Sequence, residues 1–399
     1  MISRKLRQNS FHIYLVGQTL SSIGDGVYVI AFIWLSLKLS DGRGLIMGGI
    51  FSIYTLGELI FGFISGPVVD RFNKQKILIF MDLTRGSLLC ILYVTIRLGT
   101  ATVTLLYVCT FLFATFSAFF HRAEFAILPE ITHKSRLLKA NGLLTGLKRL
   151  MRVLAPAVGG VIIQSFGTEA CFLFDGLSFF SSMLCIALVR VTVGKSGKQP
   201  KTFRYMMSDI KKGCLIVVQS SLFLTLSIYA ACINFVGAPV FPLLPILSEN
   251  VSTGASGYGA MMSALSAGLI AASFLIFYVD RFLSRIRIML MGICFSALGI
   301  LVISLSQDII TIAPACFMIG VGLSLANIPI QTIFQEKIPS ENIGVVSGFV
   351  FTAAQVAMPI SMVLSGVIIH FLSVSAVFKM ISTLMFIGAI IGFFLPQFK

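Results

Sequence analysis

Val69-Asp70-Arg71-Phe72 and Val279-Asp280-Arg281-Phe282 are the same four residues, 210 positions apart. Each closes a long apolar run, and basic residues follow both. Arg122 to Ile131 and Pro329 to Ile338 make a second pairing at an offset of 207, each closing the fourth apolar run of its half. Two near-equal offsets at matching places argue that a unit of six runs has been duplicated.

Working outward from these pairs, a membrane span needs about 20 mostly apolar residues. That length predicts twelve spans over the 399 residues. The expected bounds are Phe11–Leu37, Leu45–Val69, Ile77–Ile96, Val103–Phe125, Asn141–Ile163, Ala170–Val189, Leu215–Leu247, Ala255–Val279, Ile286–Ser304, Ile309–Phe334, Ile343–Leu372 and Val374–Leu395. Pro239, Pro242 and Pro245 predict a kink or break in the outer part of the seventh. The expected fold is all-α: twelve transmembrane helices in two pseudo-symmetric six-helix bundles. The expected domains are residues 1–190, a basic linker at 191–213, and residues 214–399. The first apolar run is too long for a cleaved leader, and no small-residue cleavage site follows it, so it reads as the first span.

Composition agrees: 57% of the residues are hydrophobic and 11% charged, against about 25% charged in an ordinary soluble domain. The formal net charge of +15 invites a nucleic-acid reading. Position removes it. Lys38, Arg43 and Arg97 fall on one side of the predicted spans, and Arg85 and Lys379 within them. The other 25 of the 30 Lys and Arg fall on the side of the N-terminus, with Lys148, Arg149 and Arg152 counted in the 4–5 region. Basic residues collect on the cytoplasmic side, so both termini are expected in the cytoplasm of a multi-pass plasma-membrane protein.

Several chemistries find no signature. The eight cysteines lie in apolar runs without CxxC or Cys/His spacing, so no metal site is expected. The four histidines form no HExxH, and GxSxG and GxxxxGK[ST] are absent. The chain is therefore expected to be no enzyme, with no cofactor and no nucleotide hydrolysis. Its expected partners are a small-molecule substrate, protons and the lipid bilayer, with the protein itself a monomer.

Asp25 and Glu58 fall near the middle of spans 1 and 2. An ionisable group at that depth costs at least ~2.5 kcal/mol, so it faces a cavity or a partner. Such a carboxyl group can exchange a proton in the working range or hold a cationic substrate group. Asp175 in span 6, flanked by Phe174 and Phe179, joins these two as a candidate. Asp82 and Arg85 in span 3 are three apart and share a helix face, which suits a gate-supporting pair. All these acids lie in the first half. The second half carries neutral Asn234, Asn327, Gln331 and Gln355 within its spans, with His370 and Lys379 near the end. Tyr28, Phe116, Phe119, Asn234, Phe235, Asn327 and Gln331 are the candidate pocket lining.

The stretch Gly66-Pro67-Val68-Val69-Asp70-Arg71-Phe72-Asn73-Lys74-Gln75-Lys76 resembles the G-x-x-x-D-R-x-x-x-x-K/R loop of the major facilitator superfamily, in the same place between spans 2 and 3. Gly17-Gln18, Ser22-Ile23-Gly24-Asp25, Asp82-Leu83-Thr84-Arg85, Phe174 to Phe179 and Asp209 to Gly213 resemble the branch of macrolide-efflux proteins and the enterobactin exporter. The resemblance implies the major facilitator fold and a cytoplasmic latch made by Gly66, Asp70, Arg71 and Lys76, with Asp280 and Arg281 in the second half. It further implies secondary active efflux of small amphipathic molecules, an antibiotic or other drug or a metallophore or siderophore, by proton antiport. A proton-coupled uptake symporter is the alternative. Three positions depart from the pattern. Met151 and Ala155 replace two glycines of the span 5 antiporter motif. Ala114 lies about where proton antiporters carry a span 4 arginine. Arg122 stands where the branch more often has proline.

Overall fold

The computed structural model describes residues 2–40, 43–132, 137–191, 214–338, 346, 350 and 352–396. Within these, the side chains of residues 2–9, 63, 67, 70, 138, 139, 277 and 335 fall outside the description. The linker proposed at 191–213 lies, beyond Val191, outside the described residues.

The described residues form thirteen named helices and no strand. They are α1 (Ile2–Leu39), α2 (Gly44–Arg71), α3 (Lys74–Arg97), α4 (Val103–Ile131), α5 (Leu137–Phe166), α6 (Thr168–Leu188), α7 (Ser221–Gly237), α8 (Val240–Asn250), α9 (Gly254–Val279), α10 (Arg285–Leu305), α11 (Ile309–Lys337), α12 (Met358–Ile368) and α13 (Val374–Phe394). Their starts are set by side chains that satisfy free N–H groups of the first turn. Asn73 accepts from the Lys76 amide at 3.1 Å, Thr102 from Leu105 at 3.2 Å, and Asp308 from Thr311 at 2.8 Å. A single residue, Gly167, joins α5 to α6 at φ +85°, in the left-handed region that glycine enters without a steric penalty.

α7 and α8 together make the seventh span, broken at Ala238–Pro239. This is the break that the three prolines predict. A proline lacks the N–H a continuous helix needs, and its ring crowds the preceding turn. The expected twelve spans are thus α1 to α6, the α7–α8 pair, and α9 to α13. Several helices outrun the expected bounds: α4 continues past Phe125 to Ile131, and α5 spans 30 residues.

The helices group into two compact units. One holds Met1–Leu39 and Ile53–Thr202, the other Ser40–Ser52 and Phe203–Lys399. In the first, α1 packs on α5 and α6, and α3 on α4 and α6. In the second, α11 packs on α9 and α10, and α10 on α13. Ser52, at the start of α2, donates to the Pro359 carbonyl of α12 at 2.6 Å.

Candidate functional site

The repeated four-residue stretches end equivalent helices, and each unit ties them down with ions. In the first unit Val69 is buried with Leu78, Ile127 and Ile131. Gln75 donates to the Ile186 and Val189 carbonyls, both at 2.8 Å, and so satisfies free carbonyls at the end of α6. Lys74 pairs with Glu130 of α4 at 2.7 Å. In the second unit Arg285 pairs with Glu336 of α11 and approaches Asp280 at 3.6 Å. Arg71, Lys76 and Arg281 are exposed, and Gly66 faces open space. The Asp70 side chain lies outside the described residues.

Deeper in the first unit, α3 carries the Asp82–Arg85 ion pair, with side chains 0% and 2% exposed. The Arg85 guanidinium is held between the Phe120 and Phe179 rings, 4.0 and 4.2 Å from their centroids. A cation this far from water is stabilised by its carboxylate and by both ring faces. Ser182 of α6, near Asp82, accepts from Gln18 of α1 at 3.3 Å, which extends the cluster to α1.

Asp175 of α6 is completely buried and accepts from Ser178 at 2.9 Å. Its other carboxyl oxygen has no hydrogen-bond partner among the described residues. Gly24 makes this approach possible: any side chain there would collide with Asp175 and Ser178. The next residue, Asp25, is within electrostatic reach of Asp175, Arg85, His121, Lys148 and Glu124. Glu58 of α2 accepts from Tyr54 at 3.1 Å.

The sequence reading missed one part of this cluster. Glu124 of α4 is buried and pairs with Lys148 of α5. His121 Nδ1 lies 3.7 Å from it, and the buried Tyr14 hydroxyl of α1 donates to it at 3.5 Å. Lys148 had been counted with the cations of the 4–5 region. Both residues lie inside the expected spans Val103–Phe125 and Asn141–Ile163, but no helical spacing joins a carboxylate on one helix to a cation 24 positions along on the next.

The pocket candidates divide. Tyr28 is buried, stacks on Phe113 at 4.6 Å and meets Phe172 edge-on at 6.0 Å. Phe119 lies 6.4 Å from Phe61, and Phe116 is half-buried. In the second unit, Asn234 donates to the Ala354 carbonyl at 3.2 Å. The Phe235 carbonyl accepts from Ser361. Asn234, Phe241, Ser296, Leu323, Met358 and Met385 border a small apolar pocket at the α7–α8 break. Asn327 and Gln331 are exposed on α11.

Among the described residues ten stretches, one of them the α7–α8 pair, meet the length and composition of a membrane span, which defines a multi-pass membrane protein. The family model described as Major Facilitator Superfamily matches residues 14–362 and 226–398. The chain belongs to that superfamily and is a membrane transporter of its type, not an enzyme. It is 24% identical over 392 residues to macrolide efflux protein A of Streptococcus pyogenes, covering 96% of this chain and 94% of that protein. It is 22% identical over 385 residues to the multidrug efflux pump Tap of Mycolicibacterium fortuitum, covering 94% and 93%. The fold matches the crystal structure of the nucleoside transporter NupG with a TM-score of 0.80 at 9% identity, over 98% of this chain and 100% of that one. It also matches a bacterial homologue of the iron transporter ferroportin with a TM-score of 0.73 at 14% identity, over 96% and 97%.

Proposed function

We propose that this transporter is a secondary active exporter of small amphipathic molecules, driven by proton antiport through alternating access. It acts as a monomer in the plasma membrane with both termini cytoplasmic. Residues 1–190 and 214–399 are the two bodies that rock about the 191–213 linker. Asp25, Glu58 and Asp175 carry the proton or bind substrate, and Asp82 and Arg85 support the gate. Gly66, Asp70, Arg71, Lys76, Asp280 and Arg281 form the cytoplasmic latch.

The observation that carries this reading is the buried Asp175, with one oxygen lacking a hydrogen-bond partner, within electrostatic reach of Asp25. A carboxyl group buried away from bulk water holds its charge at a cost, and a second acid within electrostatic reach adds to that cost, which favours an exchangeable proton. Relatives named for macrolide and multidrug efflux support export. The test is reconstitution into proteoliposomes with an imposed pH gradient and a panel of drugs and metallophores. Antiport predicts that at least one compound moves against a counterflow of protons. Movement of compound and protons in the same direction would make the chain a symporter, and movement independent of the gradient would end the antiport reading.

A further inference from the structure

α5 presents two exposed faces of opposite character. Leu143, Leu150, Leu154 and Val161 repeat at helical spacing and are all exposed, with Val158 beside them. That stripe suits lipid. Thr145, Arg149 and Arg152 follow the same spacing on another side of the helix and are exposed as well. Among the described residues neither arginine has an acidic partner in an ion pair. Farther along α5 this polar side becomes buried: Gly159 packs against Val27 of α1, and Ala155 lies against Gly26. Toward the N-terminal half of the helix the packing opens, and Gly142 and Gly146 have nothing near them.

A guanidinium on a membrane helix turns away from lipid toward water or a partner. Arg149 and Arg152 sit on the side away from the leucine stripe, next to Lys148, with His121 of α4 within salt-bridge distance of the same Glu124. Among the described residues the acid paired with a cation here is Glu124, bound by Lys148, and Asp25 lies within electrostatic reach of Lys148 and His121. Among these residues positive charge is in excess, and Arg149 and Arg152 carry a planar fork that suits carboxylate and similar oxyanions.

We infer that the Arg149–Arg152 stripe of α5 binds the acidic headgroup of the transported amphipath. This rests on the efflux reading above and narrows its substrate to molecules with a carboxylate or comparable anionic end. The apolar remainder of the molecule lies outside the stripe.

The test uses three probes of one shape: 4-(1-pyrenyl)butyrate, the matching butanol and the matching butylammonium. Their saturable binding is measured on the purified full chain in nanodiscs of zwitterionic lipid, with empty discs subtracted and no pH gradient. The expected result is butyrate binding at least ten-fold tighter than the alcohol, with the ammonium weakest. Arg149→Gln/Arg152→Gln removes the preference and leaves the alcohol within two-fold, while Arg149→Lys/Arg152→Lys keeps part of it. Equal affinities of the unmodified chain for all three probes would overturn the inference, as would a preference that survives the double Gln variant. A preference abolished by adding phosphatidylglycerol to the discs would assign the stripe to a lipid headgroup and overturn it as well. Failure here leaves proton antiport standing, because no gradient is involved; failure of the flux assay leaves this binding result standing.

Discussion

The third and fourth helices of the two units are held together by opposite means. In the first unit, α3 and α4 bury charge: Asp82 with Arg85 between two phenylalanine rings, and Glu124 with Lys148. In the second, α10 and α11 bury small residues. A side chain on Gly292 would meet the Ala326 amide and the Gly322 carbonyl at 2.7 Å, and one on Gly299 would meet the Ala315 carbonyl at 2.8 Å. Ser296 donates to Ile319 at 3.3 Å and Ser382 to Ala297 at 2.7 Å. Close helix approach of this kind relies on van der Waals packing and hydroxyl bonds. The difference teaches that a corresponding pair of helices can be closed by buried charge in one unit and by small residues in the other.

The largest expected effect breaks the charged side of this comparison. Asp82→Ala leaves Arg85 buried without its carboxylate and should cost about 3–5 kcal/mol, whereas Asp82→Leu with Arg85→Met should recover most of it. Thermal unfolding of the detergent-purified protein distinguishes the two; equal losses would mean that the pair is not what stabilises α3. On the neutral side, Gly292→Leu should cost about 1–3 kcal/mol by overpacking. Gly62→Ala in the first unit, where nothing lies within 4 Å, should be neutral or gain up to ~1 kcal/mol. Asp70→Asn sharpens the comparison of the two repeated stretches: we expect transport reduced several-fold with membrane insertion unchanged. Full activity in that variant would remove the latch. Arg285→Gln should have the smallest effect, below about 1 kcal/mol, since its pair with Glu336 is partly exposed.

The twelve spans were readable because apolar runs and their breakers act locally. The seventh span broke at Ala238–Pro239, where three prolines in seven residues, each lacking an N–H and crowding the preceding turn, disfavour one continuous helix. Both copies of the repeated stretch lie at equivalent helix ends, since cations gather where chains leave the membrane. Glu124 was missed for the same reason. It stands beside Arg122, and its partner Lys148 beside Arg149, so both read with the basic residues near span ends although they fall inside the expected spans. Only the packing of α4 against α5 brings them together, and no spacing along the chain shows it. The Arg85 box of Phe120 and Phe179 was equally hidden: its rings come from two other helices, 35 and 94 positions along the chain, and no spacing joins them.

The proposal that the charged first unit, and not the neutral second, handles the proton is tested most directly by proton release on substrate binding. A pH-indicating dye in lightly buffered solution follows release from the purified full chain when a transported compound is added. The account predicts release from the unmodified protein, its loss in Asp25→Asn/Asp175→Asn, and its retention in Asn234→Ala/Ser296→Ala of the second unit. Undiminished release from the Asp25→Asn/Asp175→Asn protein would contradict it.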